Sequence, residues 1–516
     1  MNRRQGRVFV AGLLVTGLLL TGCSSGDAHR SKTSDSAAQN PGAGGGHTGG
    51  TTGGGSASRA PAAPDGSRDE VAEGEQRPAP APDYLSTFAL DVDTASYGYA
   101  RRTLADGRLP SPDTVRPEEF VNSFRPDYKR PEGDGFSVTV DGARTTAEGW
   151  SLVRVGLATR AADRTGPRPP AALTFVVDIS GSMSETGRLD LVKESLGVLA
   201  GQLRDDDSIA LVTFSDEAET RLPMTRVGGA RDRIREVVNG LETTSSTNVE
   251  AGVRTGYDVA VEGRRKGATN RVVLLSDALA NTGDTDAESI LRRIEESRRS
   301  YGITLFGVGV GSDYGDAFME QLADKGDGHT TYVSDSAQAG KVFVDQLPAH
   351  IELRARDAKA QVAFDPQTVE KFQLIGYENR EVADEDFRND RVDGGEVGAG
   401  HTVTALYAVK VRSGRSGHLA TATVRWLDPA TRAPHERTGA VETGALAGSV
   451  WGGGHDSLQL TAIAAYFADR LRGGELPGAP SYADLASKAG ALAERAESKA
   501  VRELAAAIRQ ADELRS

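Results

Sequence analysis

The sequence predicts an α/β fold: a doubly wound, mainly parallel sheet flanked by a mostly β region, with a helical segment at the C-terminal end. Three observations predict it. From Ala171 onward, short apolar runs alternate with stretches of helical spacing, the signature of βαβ units. On both sides of that region, alternation with a period of two dominates. Beyond Leu458 the apolar residues recur every three or four positions.

The chain has 516 residues, enough for two to four domains. Arg3, Arg4 and Arg7 precede an apolar stretch over residues 8–20. That stretch is too short to span a membrane as a mature helix and suits a signal peptide. It ends in Leu20-Thr21-Gly22-Cys23, which resembles the lipobox of bacterial lipoproteins. The resemblance implies removal of residues 1–22, acylation of Cys23 and a lipid anchor on the extracytoplasmic side of the cell membrane. Cys23 is the only cysteine, which excludes an internal disulfide and any thiol chemistry elsewhere in the chain. Residues 23–83 read as a tether. From Ser24 to Asp83 there is no Phe, Tyr or Trp, and Val71 is the only large aliphatic residue. Such a stretch cannot bury enough apolar surface to offset chain entropy, and as a coil it spans about 40–45 Å. The formal charge of −13 carries no basic stripe, so nucleic acid is not an expected partner.

Ordered structure is expected from Tyr84. Residues 84–170 form an N-terminal flank, with strands over 85–92, 136–140 and 150–157 and helices over 95–104 and 117–124. Asp91 and Asp93 alternate across a strand and could bind a cation or cap the following helix; capping and local turn bonds are the expectation. Residues 171–352 form the central domain. Its strands are expected over 173–178, 208–214, 271–277, 303–310 and 331–333, with an edge strand over 218–222. Helices are expected over 189–203, 231–241, 249–261, 287–299, 317–322 and 337–353. Residues 353–516 add antiparallel strands over 359–364, 372–374, 401–411 and 418–427, then helices over 458–471 and from Tyr482. Leu485, Ala489, Leu492, Ala496, Val501, Leu504 and Ile508 mark one apolar face of that last run. The strand sets before and after the central domain are expected to share one β-sandwich.

The chemistry concentrates where strand 173–178 ends in Asp178-Ile179-Ser180-Gly181-Ser182. A phosphate loop needs several glycines and usually a lysine, whereas this turn offers a carboxylate and two hydroxyls. Two more oxygen clusters follow: 243–248, which includes Thr247, and Ser276-Asp277 at the end of another strand. In a doubly wound sheet, ligands gather at the carboxyl ends of the strands, where strand order reverses. If the strands ending in Asp178 and Asp277 are neighbours there, Asp178, Ser180, Ser182, Thr247 and Asp277 face one crevice. That set suits Mg²⁺ or Mn²⁺ with an open coordination position, and so binding of a partner carboxylate.

These residues, in order and context, resemble the metal-ion-dependent adhesion site of von Willebrand factor type A domains, over about residues 171–349. The resemblance implies that the two serines and Thr247 are metal ligands, with the aspartates direct or water-mediated, and that an acidic side chain of a partner protein completes the site. Ala278 departs from the pattern, since many members have Gly there. The flanks resemble bacterial von Willebrand factor A lipoproteins: Phe88-Ala89-Leu90-Asp91-Val92-Asp93-Thr94-Ala95-Ser96-Tyr97 on one side, Gln373 to Arg380 and Gly398 to Ala405 on the other.

The expected function is therefore a lipid-anchored surface protein that binds a protein ligand through a divalent cation and catalyses no reaction. A metal-dependent hydrolase, an envelope assembly subunit and a structural protein with a vestigial site are the alternatives. No His-Glu-x-x-His pattern and no Gly-x-Ser-x-Gly elbow between a strand and a helix favours an enzyme.

Overall fold

The computed structural model describes residues 84–161, 168–277, 287–311, 328–333, 335–340, 351–453 and 455–515, with single positions at 319, 322, 342, 343 and 347. The leader, Cys23, the tether, Ala278 and the helix expected over 317–322 fall mainly or wholly outside them. The N-terminal flank contributes β1 (Leu85–Ala89), α1 (Ala95–Ala105), α2 (Pro117–Asn122), β2 (Phe136–Arg144) and β3 (Trp150–Thr159). Pro117 opens α2, where its missing N–H costs nothing.

The central unit runs β4 (Ala171–Asp178), α3 (Leu189–Gln202), β5 (Ser208–Phe214), β6 (Ala218–Arg226), α4 (Arg231–Asn239) and α5 (Val249–Glu262). It continues with β7 (Thr269–Ser276), α6 (Ala287–Tyr301), β8 (Ile303–Val310), β9 (His329–Val333) and α7 (Ser336–Gly340). Its sheet has the order β6-β5-β4-β7-β8-β9, parallel except for the β5–β6 hairpin. Strand alternation sends Phe175 and Val177 to one face, against Leu196 on α3 and Val238 on α4. Val176 and Val212 go to the other face, against Val253 and Tyr257 on α5 and Ile294 on α6. Both faces are covered, which explains why β4 and β7 are buried along their whole length and each carries an unbroken apolar run, over residues 175–177 and 272–275.

The C-terminal flank holds β10 (Leu353–Phe364), β11 (Val369–Leu374), β12 (Gly395–Gly398), β13 (Thr402–Val411), β14 (His418–Leu427) and β15 (Pro434–Glu442). The helices α8 (Asp456–Arg472), α9 (Tyr482–Arg495) and α10 (Lys499–Arg515) follow. Strands from before and after the central unit share both flanking sheets. β1 pairs with β10 in the sheet β1-β10-β14-β15, and β3 pairs with β13 in the sheet β11-β13-β3-β2. Val362 and Val424 of the first sheet pack against Val155, Val403 and Tyr407 of the second in one core. The neighbouring positions Leu152, Leu406 and Ala408 face outward onto the helical layer of α2, α8, α9 and α10. The central unit is an insertion into this sandwich.

Several expectations shift. The strand expected from Lys359 begins at Leu353, so the helix expected to reach that residue stops short of it. The run from Tyr482 breaks into two helices at Glu497, which has φ +49°, and Ala496 is exposed rather than on the apolar face. β15 escaped sequence reading because an edge strand rich in charge carries no apolar alternation. Among the described residues, no helix is long and apolar enough to cross a membrane.

Candidate metal centre

β4 ends in Asp178, and a 3₁₀ turn over Gly181–Ser184 carries the chain into α3. Ser180 N donates to Asp178 Oδ1 at 2.8 Å, folding the turn back on the strand end. Ser276 Oγ, at the end of β7, donates to Asp178 Oδ2 at 2.6 Å. This bond forms because β4 and β7 are parallel neighbours, which puts Asp178 and Asp277 at adjacent strand ends. The oxygens then form a chain. Ser180 Oγ and Ser182 Oγ are 3.1 Å apart, and Ser182 Oγ donates to Asp277 Oδ1 at 3.0 Å. Asp178, Ser180 and Asp277 are buried, while Ser182 is exposed, so the group opens to solvent on one side. Burial, with the charge of Asp277 adding to it, raises the pKa of Asp178 against the pull of the Ser276 and Ser180 hydrogen bonds.

The loop with Thr247 is pinned on both sides. Thr244 N donates to Ile179 O at 2.7 Å, and Asn248 N donates to Ser215 O at 2.6 Å. Asn248 then caps α5, accepting from Ala251 N at 3.0 Å. Thr247 lies half-buried between these anchors.

The donor set fits a hard divalent cation. All its atoms are oxygens, and adjacent oxygens of an octahedron with metal–oxygen bonds of about 2.1 Å are about 3.0 Å apart. The observed spacings of 3.1 and 3.0 Å match. Both oxygens of Asp178 already accept protein hydrogen bonds. Its carboxylate thus suits an outer role, through water, better than direct contact.

Sequence reading missed Arg188. It is 4% exposed at the start of α3, donates from Nη1 to Ser182 O at 3.1 Å, and forms a short ion pair with Asp277. Gly187-Arg188 reads only as a helix entry, so no local signal pointed to it.

Asp91 and Asp93 also differ from expectation. Asp91 makes the local turn bond, accepting Asp93 N at 2.8 Å, but Thr94 is the N-cap position of α1 and makes no side-chain cap bond. Asp93 instead reaches across to β9, accepting Thr330 N at 2.9 Å. Asp91, Asp93 and His329 bring one ligand atom each to within 4.8 Å of one another and could hold a metal ion. Burial, followed by the charge of Arg271, lowers the His329 pKa to about 4, so its imidazole is neutral at pH 7. Arg380 already places its guanidinium 3.5 Å from each carboxylate, which makes this group first of all a buried ion-pair node.

Residues 172–345 match the von Willebrand factor type A domain family, which makes this a protein of the VWA class. Residues 69–153 match the family described as von Willebrand factor, and residues 351–514 match the C-terminal domain of the uncharacterised protein YfbK. YfbK of Escherichia coli strain K12 is 34% identical over 416 residues, covering 76% of this chain and 72% of that protein. The chain belongs to the YfbK family of VWA-domain proteins. It is also 25% identical over 180 residues to inter-alpha-trypsin inhibitor heavy chain H3 of Rattus norvegicus, covering 34% of this chain but only 20% of that protein. Among solved structures, the von Willebrand factor type A protein from Catenulispora acidiphila aligns with a TM-score of 0.45 and 16% identity. That alignment covers 72% of this chain and 88% of the other.

Proposed function

We propose that this protein is a binding protein whose central domain captures a protein ligand through a divalent cation, Mg²⁺ or Mn²⁺. VWA domains generally mediate protein–protein interaction and often bind a divalent metal, and the chain carries such a domain. One observation carries the finer reading: the run of oxygens from Ser180 through Ser182 to Asp277 has octahedral-edge spacing and is open on the Ser182 side.

Ser180, Ser182 and Thr247 would hold the cation, with Asp178 and Asp277 behind them. When bound, the cation supplies a coordination position for an acidic side chain of the partner. The chain's own contribution is placement. Ser276 and the Ser180 amide fix Asp178, and the anchors at Ile179 and Ser215 fix the Thr247 loop. The reading is of a binding site rather than an enzyme, with the domain displayed outside the cell membrane on a lipid attached to Cys23.

The test is a pull-down from envelope extracts with Mg²⁺ or with EDTA, using wild type, Asp178→Ala and Ser180→Ala. The expected result is capture that needs Mg²⁺ and is lost in both variants. Capture indifferent to chelator and to mutation would reject the cation mechanism. Mass spectrometry of the mature N-terminus checks the anchor: a diacylated or triacylated Cys23 is expected, and an unmodified chain starting elsewhere rejects it.

A further inference from the structure

Arg188 sits where the proposed site is most charged. Its guanidinium forms an ion pair with Asp277 through Nη1 and with Glu185 through Nη2, the latter at 2.8 Å. Nη1 also donates to the carbonyl of Ser182, so one side chain ties two parts of the oxygen-rich turn to the end of β7. Glu185 is largely exposed, whereas Arg188 and Asp277 are enclosed, so the pair with Asp277 is the desolvated one. The fold makes room for this arginine. Gly311 follows β8 with φ +89°, and a Cβ there would lie 2.7 Å from Arg188 Nε. The arginine stem therefore runs across the end of a third strand, over a position where a side chain would strike it.

This placement has an electrostatic consequence. Asp178 and Asp277 bring two carboxylates to the site, and Arg188 offsets half of that formal charge within direct contact of one of them. It also occupies Asp277 Oδ2, leaving Oδ1 turned toward Ser182 Oγ. A bare pair of carboxylates would hold a cation tightly and quench its charge. With one carboxylate already neutralised, the cation binds less tightly and keeps more positive charge for an incoming ligand.

We propose that Arg188 is a positioning residue of the cation site, holding Asp277 and lowering the site's affinity so that a bound cation stays receptive to a partner's carboxylate. This rests on the cation reading given above. The experiment titrates Mn²⁺ into full-length wild type, Arg188→Gln, Arg188→Lys and Asp178→Ala by calorimetry, and records thermal melts with EDTA and with Mn²⁺. Arg188→Gln is expected to bind Mn²⁺ roughly tenfold more tightly, because the competing charge is gone. Arg188→Lys, which keeps the charge, is expected to stay within about threefold of wild type. Arg188→Gln is also expected to melt lower in EDTA and to gain more from Mn²⁺ than wild type does, since the cation takes over the neutralisation of Asp277.

If wild type binds no Mn²⁺, the site reading itself fails. If wild type binds, Asp178→Ala abolishes binding and Arg188→Gln binds equally or less well, the site stands and the role of Arg188 is overturned. Should Arg188→Gln not fold, Arg188→Met keeps the apolar stem against Gly311 and replaces it. Failure of both to fold at saturating Mn²⁺ also overturns the proposal, because a counter-charge is dispensable once a cation is present.

Discussion

Glu118 lies on α2 with its carboxyl enclosed, and burial, reinforced by the charge of Asp91, pushes its pKa up to about 7 from an ordinary 4.5. Between those values the folded chain holds a proton that the unfolded chain has released. Folding stability from this group is therefore highest below about pH 4.5 and falls as pH rises through about 7. Glu118→Gln is expected to remove that fall, leaving stability nearly unchanged at pH 4.5 and raising it by about 3 kcal/mol at pH 8. Urea melts of both proteins at the two pH values check this, and an identical pH slope in the variant would refute it. Single residues also divide by how legible they are. Asp178, Ser180 and Ser182 announce themselves because a strand end and a turn concentrate their chemistry in five consecutive positions. Arg188 does not, because its meaning comes from Asp277 and Gly311, which are far from it in sequence.

At the scale of elements, α5 shows how packing places a site. Gly252 and Gly256 are one turn apart on the face toward the sheet. An added Cβ would lie 2.5 Å from Phe214 Cδ1 at the first position and 2.3 Å from Val176 Cγ2 at the second. The missing side chains let α5 lie close on β4 and β5, which sets where its capped N-terminus and Thr247 come to rest. Gly256→Val is expected to cost about 1–3 kcal/mol by overpacking and to weaken Mn²⁺ binding through displacement of the Thr247 loop. Gly197→Ala on α3 is the control: a Cβ there meets nothing within 4 Å, and helix propensity predicts a gain of up to about 1 kcal/mol with unchanged binding. Equal loss of binding in both variants would contradict this account. Helices α3 to α6 and the buried strands of the central unit were legible because each buries a clear stripe or run. The break at Glu497 was not, because no Gly or Pro marks it and the apolar spacing continues on both sides.

At the scale of the molecule, buried ions join the central unit to the sandwich. Arg271 at the start of β7 pairs with Glu396 on β12 at 2.6 Å, both fully enclosed, and Arg356 on β10 reaches the same carboxylate at 3.1 Å. Asp93, from the N-terminal arm, holds Thr330 on β9. Glu396→Ala leaves two guanidinium groups without their shared carboxylate and is expected to destabilise the chain by about 3–5 kcal/mol. Calorimetry should then show the central unit and sandwich unfolding at separate temperatures, where wild type shows one transition. A variant that melts as wild type does would show that this ion cluster is not what joins them.

The sequence by itself determined the α/β class, the order of elements in the central unit and the oxygen-rich turn, since local periodicity and five adjacent residues suffice for these. It also gave reason to expect the strands before and after that unit to meet. Only the tertiary structure decided that Asp277 stands beside Asp178, that Arg188 neutralises it and that Arg271 finds Glu396. Those pairings depend on which strands become neighbours, and parallel strands meet across long crossover connections that leave no mark in local spacing.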